Sequence, residues 1–101
     1  MADTTKTLHN VTTERNYTNT RLIQMDGRIF KFHHEISNGT NRFTVELFDG
    51  DKFNFITGIS GLGVQKGIAP YDVSYVSRLD EKQAMTKVLF NKGINFIKLL
   101  P

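Results

Sequence analysis

Between residues 21 and 57 apolar and polar residues alternate in four short runs: "RLIQM", "RIFKFHHEIS", "RFTVELF" and "KFNFIT". A period of two is the signature of strands with one buried face. The runs are separated by Asp26-Gly27, by the 38–41 stretch Asn-Gly-Thr-Asn, and by Asp49-Gly50-Asp51. These short connectors are rich in residues that accept positive φ, as hairpin turns require. The pattern predicts an antiparallel β-meander over about residues 20–57.

Turn geometry predicts the pairing. The Asp26-Gly27 turn sets Met25 opposite Arg28 and Ile23 opposite Phe30. The 38–41 turn sets Ile36 opposite Phe43, His34 opposite Val45 and Phe32 opposite Leu47. The 49–51 turn sets Leu47 opposite Phe53 and Val45 opposite Phe55. One face then collects Ile23, Phe30, Phe32, Ile36, Phe43, Val45, Leu47, Phe53 and Phe55, and the other Lys31, His33, Glu35, Arg42, Thr44, Glu46, Lys52 and Asn54. A slip of one residue would exchange the faces of a strand.

The apolar face needs a cover. In "SRLDEKQAMTKVLFNKG", Ala84, Met85, Val88 and Leu89 recur at helical spacing. Ser77 with Asp80 suits a helix start, and Lys92-Gly93 suits a helix stop. A helix is expected over about 78–91, followed by a C-terminal strand in "INFIKLL", with a weaker strand signal in "YDVSYVS". The fold class is α+β. Residues 1–19, rich in Thr and Asn, are read as a flexible N-terminal arm, and 20–101 as a single α+β domain.

The chain's 101 residues suit one domain with a modest core. With no cysteine, disulfides, thiolate metal sites and a cysteine nucleophile are excluded. The opening residues carry no apolar signal core, and no apolar run reaches the roughly 18 residues of a membrane span. A soluble, cytoplasmic protein without membrane partners is expected, and the Asn-x-Thr triplets at Asn10, Asn16 and Asn38 then read as compositional. A net charge of +3 permits nucleic acid or an acidic protein as partner and demands neither.

Chemistry is sparse. "TGISGLG", residues 57–63, resembles the phosphate turn of short-chain dehydrogenases, T-G-x-x-x-G-x-G, but is one residue short. That resemblance implies nucleotide binding, yet Gly67 and Pro70 interrupt the helix whose N-terminus would hold the phosphate; the Walker pattern, which needs Gly-Lys-Ser/Thr, is not met either, because Lys66 precedes Gly67. His33 and His34 point to opposite strand faces and cannot share a metal. His34 falls among core residues, where a hydrogen bond to backbone is expected; a pH-sensitive or partner-contacting role is the alternative. Asp49 and Asp51 read as turn chemistry, and Ser60 lacks the nucleophile-elbow spacing. No catalytic residue, cofactor or metal is assigned.

"KFNFI" resembles the aromatic-alternating strands of RNA-binding sheets and cold-shock barrels, which implies rings stacking on bases. The expected function is a non-enzymatic binding or regulatory module docking on a protein, of the kind found among phage and mobile-element accessory proteins. A nucleic-acid binder using a basic sheet face is the alternative, and a self-assembling structural subunit the third. Candidate partner-binding residues are Lys31, His33, Arg42, Lys52, Lys66, Arg15 and Arg21.

Overall fold

A computed structural model describes residues 6–13, 17–37, 40–62 and 78–101. Five strands follow chain order in one antiparallel sheet: β1 (Lys6–Thr13), β2 (Tyr17–Met25), β3 (Arg28–Ser37), β4 (Thr40–Phe48) and β5 (Phe53–Gly58). A short 3-10 turn (Ser60–Leu62) follows, and one helix, α1 (Leu79–Lys98), lies across the sheet. The meander and its α+β class are as the alternation predicts.

The β2–β3 hairpin has the expected register, with Met25 opposite Arg28 and Ile23 opposite Phe30. Asp26 and Gly27 have φ of 54° and 76°, the mirror-image turn that matches strand twist. In β3–β4 the pairing moves by two residues, because Ser37 already pairs with Thr40. Phe32 therefore faces Val45 and His34 faces Phe43. An even shift keeps every side chain on its expected face.

The β4–β5 hairpin slips by one, and here the faces change. Phe48 pairs with Phe53, Leu47 with Asn54 and Glu46 with Phe55. The cause lies in the turn. Asp49 Oδ1 accepts the backbone N–H groups of Asp51 and Lys52, both at 2.9 Å, and Asp49 N–H reaches the Lys52 carbonyl at 3.0 Å. Lys52, not Asp51, thus closes the turn, over Gly50 at φ 99°. A β-bulge between Val45 and Glu46 then inserts Ile56, so Val45 meets Thr57. Phe53 and Phe55 consequently leave the core face, against the expectation from the 49–51 turn.

The core contains Phe32, Phe43 and Phe90 in mutual ring contact, with centroids 5.5–5.9 Å apart. Tyr17, Ile23, Phe30, Val45 and Leu89 complete its fully buried apolar part. The helix runs beyond the expected stop at residue 91 and absorbs the expected C-terminal strand. Its buried positions are Met85, Thr86, Leu89, Phe90, Gly93 and Ile97, so the stripe continues at spacings of three and four past Gly93. Ala84 is exposed and Val88 largely so. The helix starts at Arg78 as N-cap, whose N–H donates to Glu81 Oε1 at 3.3 Å; Ser77 lies outside the described residues, as does the weaker strand signal at 71–77.

Gly93 is not a stop but a point where the helix comes close to the Phe32 ring of the sheet. A Cβ there would lie 2.8 Å from Cε2 of the fully buried Phe32. Gly93→Ala gains about 1 kcal/mol of helix propensity but incurs an overpacking cost of about 1–3 kcal/mol. Net destabilisation of about 1 kcal/mol is expected in a urea titration. A stabilised variant would mean that the helix stands off from Phe32.

The arm reading is also corrected. Residues 6–13 pair with β2 as an edge strand, through a register that shifts between Thr7 and His9. Tyr17 is fully buried and Asn19 nearly so. Backbone pairing and the strand preference of Thr hold this segment where apolar burial alone predicts disorder. The domain therefore begins before residue 20.

Candidate functional site

With α1 on one side, the other side of the sheet is left uncovered by any described element. Its β3 residues include Lys31, His33 and Glu35, and its β4 residues include Arg42, Thr44, Glu46 and Phe48. The slipped register adds Phe53 and Phe55 from β5. Phe48 is 36% exposed and Phe55 64%. The Phe48 and Phe53 rings pack at 5.1 Å between centroids, tilted by 44°. Lys31 Nζ sits 4.9 Å from the Phe53 centroid, a cation–π geometry. Three aromatic rings therefore gather at one end of the face.

The charged residues around them are mixed in sign. Lys31 Nζ lies 3.6 Å from Glu46, and His33 Nε2 3.7 Å from Glu35. The other ring nitrogen of His33 shares a 2.6 Å hydrogen bond with Thr20 Oγ1. Arg42 is exposed, opposite Glu35 in the ladder; both line a shallow cleft of about 190 Å³ with Ser37 and Thr40. Asp49 also holds the Asn54 amide at 2.8 Å, and these hydrogen bonds, led by that from Lys52 N–H, keep its carboxyl below the usual carboxylate range.

Of the candidate partner-binding residues, Lys31, His33 and Arg42 share this face, and Lys52 is exposed at its turn. Arg21 does not join them. It packs over the Phe90 ring at 4.7 Å, on the helix side of the sheet. Arg15 and Lys66 lie outside the described residues. The glycine loop is described only to Leu62, where a 3-10 turn of three residues follows β5 and Ile59 plugs into the core.

His34 is buried completely, and its partners are side chains rather than the backbone group expected. Nδ1 lies 2.6 Å from Thr86 Oγ1, and Nε2 lies 2.6 Å from Asn41 Oδ1. Tyr17 Oη is 2.6 Å from the same Thr86 oxygen. With a neutral ring, Tyr17 O–H donates to Thr86, Thr86 to Nδ1, and Nε2–H to Asn41. The Lys82 carbonyl, 3.1 Å from Thr86 Oγ1, is a second acceptor for the Thr86 proton when Nδ1 is protonated. Every member is thus satisfied in either ring state. Burial decides between them, pushing His34 down to about 4; the Asn41 hydrogen bond opposes this and nearby His33 adds to it. The network ties β2, β3, β4 and α1 together.

Sequence reasoning missed the aromatic cluster because it placed Phe53 and Phe55 inside. The signal that finds it is Asp49, a residue able to cap its own turn and move the closing pair to Lys52. Among the described residues no group of three or more His, Asp or Glu is placed to hold a metal, and no helix is long and apolar enough to cross a membrane. Comparison with protein-family models, with characterised proteins and with solved structures found no match.

Proposed function

We propose that the chain is a non-enzymatic binding module that docks on a protein partner through the uncovered sheet face, with Phe48, Phe53 and Phe55 as anchors. The observation that carries this reading is the exposure of Phe55 beside the packed, tilted Phe48–Phe53 pair. Burying a Phe side chain stabilises by about 1.5–3 kcal/mol, so rings left in solvent forgo a stabilisation that a partner can supply. Aromatic anchors inside a polar rim are the usual anatomy of a protein interface. Lys31, His33, Glu35, Arg42 and Glu46 form that rim.

Stacking on single-stranded nucleic acid is the second reading, favoured by the rings and by Lys31 over Phe53. The rim argues against it. Glu46 and Glu35 are interleaved with the cations, whereas a phosphate backbone asks for one sign of charge.

The test is a partner screen with the wild-type chain and Phe55→Ser. The variant changes an exposed side chain and is expected to keep its stability within about 0.5 kcal/mol. Loss in F55S of a discrete protein captured by wild type, insensitive to moderate salt, is the predicted result. Retention on single-stranded DNA that collapses with salt would favour the second reading. A discrete oligomer broken by F55S would instead identify the partner as a second copy of the chain.

A further inference from the structure

A separate feature lies on the helix side. Asn19 and Arg21, two apart on β2, face Gln83, Thr86, Lys87, Phe90 and Asn91 of α1 across a cleft of about 450 Å³. The helix residues recur at spacings of three and four, so a single helix face supplies them. Among the described residues the lining contains two cations and no carboxylate. Neither Arg21 nor Lys87 takes part in an ion pair among the described residues. The Arg21 guanidinium lies against Phe90, and its Nε is buried with no hydrogen-bond partner among the described residues. Burial also pushes the Arg21 pKa below its ordinary value, although the group stays charged at neutral pH.

A half-buried guanidinium without a counter-charge has given up water without full compensation. The ring beneath it offsets only part of that cost. What the described lining lacks is an anion, and two cations match a dianion better than a carboxylate. The guanidinium edge suits two phosphate oxygens at once, with Lys87 as a second point charge. The cleft is larger than a phosphate group and falls in the size range of small-molecule sites, leaving room for an organic remainder beside the Asn and Gln amides.

We propose that the β2–α1 cleft binds a phosphate-bearing small molecule, with Arg21 and Lys87 taking the phosphate. The site is independent of the uncovered face, which lies on the other side of the sheet. The test follows the Arg21 Nε–H resonance of the full chain as inorganic phosphate replaces chloride at constant ionic strength. A saturable shift of Arg21 Nε–H, with shifts at Thr86 and Asn91, is expected. Acetate at the same concentration moves it much less. Lys87→Gln, a change at an exposed position, weakens phosphate binding by about tenfold, and Arg21→Gln abolishes it. An unsaturable drift shared by lysines elsewhere overturns the proposal. So does an equal response to acetate, or phosphate binding unchanged in K87Q.

Discussion

Thr86→Val is expected to destabilise the domain by about 3 kcal/mol although it barely changes side-chain volume. The hydroxyl it removes serves both Tyr17 Oη and His34 Nδ1, each at 2.6 Å, in a fully buried setting. Two buried polar groups lose their partner, at about 1–3 kcal/mol each. Tyr17→Phe alone removes one donor, leaves His34 served by Thr86, and costs about 1 kcal/mol. The double variant separates this account from a packing effect. Once Thr86 is gone, the Tyr17 hydroxyl is an orphan, and deleting it relieves the strain. T86V/Y17F is therefore at least as stable as T86V in a urea titration. Strict additivity would mean that the two hydroxyls do not interact.

Stability is also expected to fall by about 3 kcal/mol between neutral pH and pH 4, through His34. Its pKa moves from 6.5 in the unfolded chain to about 4 in the folded one. Between these values the unfolded chain binds a proton that the folded chain refuses. Stability is thus complete above 6.5, declines as pH falls through the window, and levels off for this group below about 4. Two and a half pKa units correspond to about 3 kcal/mol. Asp49, depressed by its turn hydrogen bonds, gives a further loss in the same direction at more acidic pH. Denaturant midpoints measured across pH 4–7 should show the slope in wild type and a much flatter line in His34→Gln. The same slope in both proteins would assign the effect to other groups.

Much of the fold was legible because local and global signals agree. Asp26-Gly27 fixes one hairpin alone, and the alternation through Phe30, Phe32, His34 and Ile36 fixes which face of β3 is buried. The departures have separate physical causes. Apolar count undervalued β1, which backbone pairing holds to β2. Gly93 reads as a helix stop when only its backbone freedom is weighed, yet the missing side chain is what lets α1 approach Phe32. A turn centred on Gly50 admits two closures, and the Asp49 side chain selects the one that turns Phe53 and Phe55 outward. The cleft was not legible at all. Arg21 reads in the sequence only as one cation among several candidate partner-binding residues and Lys87 as an ordinary helix cation, and only the packing of α1 beside β2 brings them together.

The pairing of β4 with β5 decides whether Phe53 and Phe55 join Phe48 on the uncovered face or turn into the core, and cross-strand nuclear Overhauser effects read it directly. The register described here gives contacts between the Phe48 and Phe53 rings and across the Glu46–Phe55 pair, with Val45 opposite Thr57. Contacts linking Leu47 with Phe53 and Val45 with Phe55 would return those rings to the interior and remove the docking face.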